Sequence, residues 1–203
     1  MKIICIGRNY AEHAKEMNAP LPASPVFFMK PDTAVLKNGG AFYYPEFTKD
    51  LHYECELVVR IEKAGKHIST QFAHKYYTHV SLGIDFTARD LQQECKEKGL
   101  PWEIAKSFEH SAPLSDNWIC KDDLDLSNCS FMLRKNGEIV QTGNTSDMIF
   151  SIDEIISYIS QFMTLKTGDL IFTGTPSGVG PVKIGDHLTG ALNGQDMFTF
   201  DIK

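Results

Sequence analysis

His52-Tyr53-Glu54-Cys55-Glu56 is the segment whose residue types could carry chemistry most directly. On an extended strand side chains alternate, so Glu54 and Glu56 share one face with His52 beside them. Two like charges side by side repel unless something positive stands between them. The apolar run Leu57-Val58-Val59 that follows draws this strand toward the core, where unpaired carboxylates are costly. A bound cation resolves both conflicts, and oxygen donors alone select a hard ion, Mg²⁺ or Mn²⁺, over zinc. The competing reading is a solvated edge strand with two exposed glutamates. Asp85, at the end of the apolar stretch Val80-Ser81-Leu82-Gly83-Ile84, completes a three-carboxylate set with positions open for water or substrate. Its ordinary alternative is to cap the helix that follows.

Other residues could work beside such a centre. His13 and Glu16 stand i and i+3 on a short helix, where a carboxylate could orient an imidazole as a general base; a charged surface helix is the plain alternative. That helix, between Gly7 and the prolines 20, 22 and 25, could also serve as a lid over residues 9–20. Lys106 lies among apolar neighbours and could hold a substrate carboxylate or enolate, or could snorkel. Arg89 and Gln92, again i and i+3, follow Asp85 on a helix and either face the ion or decorate the surface. Lys30 is a weaker candidate of the same kind as Lys106. The glycine-dense stretch Phe172 to Gly180 lacks a P-loop ending and does not open a helix, so it binds no dinucleotide in the usual way. It could offer backbone N–H groups and the Thr175 hydroxyl to a carboxylate, or simply turn the chain.

Composition narrows the classes. The 203 residues carry a net charge of −6, which argues against nucleic acid as a partner but not against a small anion beside a metal. Five scattered cysteines without a C-x-x-C pair point to a reducing, cytoplasmic setting, not to a disulfide framework or zinc. No apolar run approaches a membrane span, and the expected location is the cytoplasm rather than a membrane.

These residues need elements to position them. Lys2–Ile6 reads as a strand, followed by a helix capped by Asn9 with Glu12 as its box partner. Val26–Met29 is a strand and Gly39-Gly40 a turn. Leu51–Ile61 reads as one strand, and His79–Phe86 as another that finishes at Asp85. Thr87 is expected to open a helix that Gly99 closes. Lys135-Asn136-Gly137 marks a hairpin between Ser130–Arg134 and Glu138–Thr142. Ser151 and Glu154 form a capping box before an amphipathic helix containing Ile155, Ile156, Ile159 and Phe162. Strands outnumber short, irregularly spaced helices, so the expected class is a β-rich α+β fold in one domain over 1–203.

The segments Gly7-Arg8-Asn9-Tyr10 with His13 and Glu16, Lys30-Pro31, His52–Glu56, Asp85–Asp90, Trp102–Phe108 and Phe172–Gly180 occur in an order that closely resembles the fumarylacetoacetate hydrolase superfamily. The stretch from Asp90 through Trp102 to Phe108 is similar to its short, single-domain branch of acylpyruvases and oxaloacetate decarboxylases. The resemblance implies a mixed-β roll or barrel, a homodimer, and Mg²⁺ or Mn²⁺ on Glu54, Glu56 and Asp85. It also implies a His13–Glu16 dyad on a lid, Lys106 as a catalytic group, and Arg8, Arg89, Gln92 and Thr175 around a small α-keto acid. The implied reaction is metal-dependent cleavage of a C–C bond, by acylpyruvate hydrolysis or oxaloacetate decarboxylation. An isomerase, hydratase or tautomerase on an enolisable keto acid is an alternative, as is a non-catalytic metabolite-binding domain, because fold and triad do not fix a reaction.

Overall fold

The structure is a computed structural model that describes residues 1–36 and 40–203. The turn expected at Gly39-Gly40 rests on Gly39, which lies outside the described residues. In chain order the elements are β1 (Ile3–Gly7), α1 (Ala11–Glu16), β2 (Val26–Lys30), β3 (Val35–Leu36), β4 (Leu51–Tyr53), β5 (Cys55–Ile61), α2 (Thr70–Ala73), β6 (Tyr77–Ile84), β7 (Thr87–Ala88) and α3 (Arg89–Lys98). They continue with α4 (Glu103–Lys106), β8 (Ala112–Pro113), β9 (Ile119–Cys120), β10 (Ser130–Lys135), β11 (Glu138–Asn144), α5 (Ile152–Phe162), β12 (Leu170–Phe172), β13 (Gly180–Pro181), β14 (His187–Leu192) and β15 (Gln195–Asp201).

Six strands form the central sheet in the order β2-β1-β12-β5-β6-β9. Only β1 and β12 pair in parallel within it. A four-stranded antiparallel sheet, β11-β10-β14-β15, and the smaller sets β13-β4-β7 and β3-β8 complete a β-rich fold. Among the described residues the sheets stay open and none closes into a barrel. The apolar runs of β1, β5 and β12 are continuous because both faces are covered. Ile4, Leu57, Val59 and Ile171 enter the larger core, while Ile3, Val58, Leu170 and Phe172 enter a second one. Helix α5 seals the larger core with Ile152, Ile155, Ile156 and Ile159, each of which gains about 2 kcal/mol from burial. Its Ser151–Glu154 capping box forms as the sequence indicates. The β10–β11 hairpin likewise turns at Asn136 and Gly137, both at positive φ.

Three local expectations are corrected. Leu51–Ile61 is two strands, broken at Glu54, because β4 pairs with β13 and β7 while β5 belongs to the central sheet. Thr87 does not open α3; it belongs to β7, and Ala88 precedes the helix. Asn9 does not cap α1. Tyr10 holds that position without a side-chain bond. The Asn9 amide instead donates to the carbonyls of Phe150 (3.0 Å) and Thr173 (2.8 Å) and accepts from the Phe150 N–H (2.8 Å). A satisfied side chain joins three distant segments in place of a local cap.

Candidate active site

The break at Glu54 is what builds the site. Cys55 pairs with Ile84, and beyond that rung both strands part: Glu54 leaves β5 while Asp85 leaves β6, tied by Asp85 N–H donating to Glu54 O at 2.8 Å. Glu56 faces Gly83 across the same ladder. A Cβ on Gly83 would stand 2.8 Å from the Phe172 ring and 2.9 Å from Pro113 O, so only glycine lets the layers approach there. One carboxylate oxygen each from Glu54, Glu56 and Asp85 then lie within 4.8 Å of one another, all buried. The grouping expected from spacing is present, although one glutamate sits at the strand break and the other inside β5.

Cations meet this cluster from two directions. Lys106 Nζ donates to Glu54 Oε2 (2.9 Å) and Asp85 Oδ2 (2.8 Å), and Arg89 donates to Glu54 Oε1 (2.7 Å). The Thr87 hydroxyl, free of any capping duty, donates to the same Glu54 oxygen at 3.0 Å. Lys30, fully buried, lies 2.8 Å from Asp85 Oδ1 and bonds Ser111 Oγ and the carbonyls of Phe86, Ser111 and Lys106. Its approach to Asp85 is an ion pair only, since Oδ1 accepts no hydrogen bond. Burial pushes the Glu54 carboxyl up, but Lys106, Arg89 and His13 outweigh it and hold the group well below the usual carboxylate range. Glu56 goes the other way. Burial, then repulsion from Asp85 and Glu54, raises it well above that range against the opposing Gly174 N–H, which donates to Oε2 at 2.7 Å. Burial pulls the Lys106 ammonium down, yet Asp85 and Glu54 raise it overall.

The donor set fits a hard divalent ion. It offers oxygen atoms only and, among the described residues, an Asp85 oxygen without a hydrogen bond and in Glu56 a carboxylate without a partner of opposite charge in contact. These atoms line a cavity of about 330 Å³. His13 faces it, with Nδ1 3.1 Å from Glu16 Oε2. Because a carboxylate only accepts, Nδ1–H is the donor to Glu16, and it is the neutral form of the ring that offers a lone pair at Nε2. Glu16 stands behind His13, and its Oε1 accepts the Gly178 N–H at 3.1 Å. Arg8, Arg89, Gln92 and Thr175 also border the cavity, with Arg89 Nη1 donating to Gln92 Oε1 at 2.8 Å.

Two nominated side chains lie elsewhere. His52 turns to Asp50 (2.9 Å) and lines no part of this cavity, because the strand break rotates it away from the glutamates. Lys30 stands behind the carboxylates instead of facing the cavity. Sequence reasoning also overlooked several groups. Lys96 lines the cavity four residues after Gln92, a helical spacing that could have revealed it. Phe28 and Trp102 pack together (ring centroids 6.0 Å apart) as an apolar wall. Gln141 bonds both Cys55 and Thr175, and no local pattern announces it.

Among the described residues no helix is long and apolar enough to cross a membrane. The family described as fumarylacetoacetate (FAA) hydrolase C-terminal matches residues 2–203. The chain is 46% identical over 202 residues to the mitochondrial oxaloacetate tautomerase FAHD1 of Bos taurus, covering 99% of this chain and 91% of that protein. It is 44% identical over 204 residues to the mitochondrial oxaloacetate decarboxylase of Dictyostelium discoideum, covering 99% and 93%. Its fold superposes with a TM-score of 0.93 on the fumarylpyruvate hydrolase of Pseudomonas aeruginosa crystallised with Mn²⁺ and pyruvate, at 38% identity over 100% of this chain and 89% of that one. A match along almost the whole chain, on a fold shared with its solved relatives, makes this protein a member of the fumarylacetoacetate hydrolase family.

Proposed function

We propose that the chain is a divalent-metal-dependent enzyme that cleaves a C–C bond in short α-keto acids, hydrolysing an acylpyruvate or decarboxylating oxaloacetate to release pyruvate. One observation carries this reading: Glu54, Glu56 and Asp85 converge in a buried cavity that His13 and Lys106 also face. Charge supports the substrate class. The three carboxylates already meet Lys106, Arg89 and Lys30, and Arg8 and Lys96 add positive charge at the cavity wall. A further dication leaves a positive excess that favours an anionic keto acid.

Glu54, Glu56 and Asp85 would hold Mg²⁺ or Mn²⁺, which supplies Lewis acidity to the keto acid and to the enolate it becomes. In acylpyruvate hydrolysis His13 Nε2 takes a proton from water while Glu16 holds the ring. The resulting hydroxide adds to the distal carbonyl, and the C–C bonding pair leaves with the pyruvate fragment. In decarboxylation no water is needed; CO₂ departs and the pair stays on the carbon next to the keto group. Lys106, Arg8, Arg89 and Gln92 orient the carboxylates, and Thr175 closes the opposite wall. The name of the bovine relative favours a second reading, keto–enol tautomerisation, in which the same base moves a proton between carbon and oxygen without bond cleavage.

Purified protein given Mg²⁺ or Mn²⁺ is expected to release pyruvate from acetylpyruvate or oxaloacetate; enol consumption without pyruvate would select the tautomerase. Binding of these acids with no turnover would leave a metabolite-binding domain. The reading includes one catalytic domain over the chain, a homodimer, and a cytoplasmic setting suited to free cysteines. Exposed Phe47 and Ile104 give a second copy apolar surface to cover. Sedimentation tests the dimer. Fractionation of the source cell tests the compartment.

A further inference from the structure

The loop Thr173–Gly178 touches three parts of the proposed machinery. Gly174 N–H holds Glu56, Thr175 lines the cavity, and Gly178 N–H holds Glu16. One buried side chain from the other sheet fixes this loop. Gln141, on β11, accepts the Cys55 N–H through Oε1 at 3.0 Å, between the glutamates Glu54 and Glu56. Its Nε2 donates to Thr175 Oγ1 at 3.0 Å and to Pro176 O at 3.1 Å. The orientation of the amide is determined by its neighbours: an N–H must meet oxygen, and a carbonyl must meet the NH₂ group. The Thr175 hydroxyl is equally constrained, because it donates to Cys55 O at 2.9 Å while accepting from Gln141. Gly178 lies so close that a Cβ there would meet Val140 O at 2.7 Å, so β11 and the loop are in direct contact.

We propose that Gln141 is a positioning residue that locks the Thr175 loop to the strand carrying Glu56, so that keto acid binding depends on it although it does not line the cavity. This rests on the proposed function, since it presumes that the cavity takes a metal and a keto acid. Gln141→Glu separates the two halves of the amide. A carboxylate still accepts from Cys55 but cannot donate to Pro176 O or Thr175. Gln141→Leu removes both halves.

The test titrates metal-stripped protein with Mn²⁺, and then Mn²⁺-loaded protein with pyruvate, for wild type, both variants, Thr175→Val and Gln141→Glu/Thr175→Val. For Gln141→Glu the pyruvate affinity is expected to fall about tenfold or more while Mn²⁺ affinity changes less than about threefold. Gln141→Leu should lose Mn²⁺ affinity as well. Because Gln141 acts through Thr175, the double variant should bind pyruvate within about twofold of Gln141→Glu alone. Additive losses, unchanged pyruvate affinity in Gln141→Glu, or a loss that merely follows a lowered Tm in all variants would each overturn the inference. If wild type takes up no Mn²⁺, the proposed function falls and this inference with it. Uptake by wild type with unaffected variants removes the inference alone.

Discussion

The two walls of the cavity are built differently. On one side, Glu56 sits within the β5–β6 ladder, and Glu54 and Asp85 flank its last rung, Cys55 with Ile84. On the other, His13 and Glu16 sit on α1, six residues long and lacking a side-chain cap. So short a helix is not stable by itself. It is held at its entry by Asn9 on Phe150 and Thr173 and at its exit by Glu16 on Gly178. Clustered like charges need a rigid frame, since repulsion would otherwise spread them. A base needs only to reach its proton, so it can ride on a segment pinned at two points.

The largest expected effect strikes the rigid wall. Glu54→Gln should weaken Mn²⁺ binding to metal-stripped protein by at least about a hundredfold, because a charged ligand goes, Arg89 loses its buried partner and Lys106 one of its two. Calorimetry that finds wild-type affinity would remove Glu54 from the site. On the pinned wall, His13→Ala should lower acetylpyruvate hydrolysis about 10²–10⁴-fold and leave Mn²⁺ affinity near wild type. If metal binding fell equally, the two walls would be one unit and the contrast lost.

Titration sharpens the difference further. Glu54 is held ionised, but Glu56, raised by burial and by Asp85 and Glu54, keeps its proton above the ordinary carboxylate range. An ion takes up the deprotonated form, so binding expels the proton. Mn²⁺ affinity should therefore rise with pH, by at most about tenfold per unit, until Glu56 is ionised in the free protein, and then level off. Calorimetry in buffers of different ionisation enthalpy reads the released proton; release of none below that plateau would contradict a protonated Glu56. The smallest effect lies outside both walls. Ser151→Ala, which breaks the α5 capping box, should cost about 1 kcal/mol in urea unfolding with turnover unchanged.

Legibility in the sequence followed distance along the chain. Glu54, Glu56 and Asp85 announce themselves because each sits beside an apolar run that demands burial, and His13–Glu16 because helical spacing is local. The strand break at Glu54 was not legible: both flanks favour extended backbone, and only pairing with two different sheets divides them. Asn9 and Thr87 have the residue types of helix caps, yet their polar atoms are claimed by partners far away. Lys30 reads as a weaker substrate-holding candidate like Lys106 until Asp85, Ser111 and three carbonyls enclose it behind the carboxylates. Gln141 belongs to a strand that the sequence reads only as half of an Asn-Gly hairpin, and its partner Cys55 is 86 positions away.

The parallel pairing of β1 with β12 has a consequence for how this chain is made. Ile3 lies against Leu170, and Lys2 N–H donates to Asp169, so the first strand waits for residues near the far end before it has a neighbour on that side. The Gly174 N–H that steadies Glu56 arrives later still. During synthesis on the ribosome the three carboxylates are therefore made well before β12 and the loop that braces Glu56. Tight metal capture is accordingly expected only once that loop has docked, as a late step of folding.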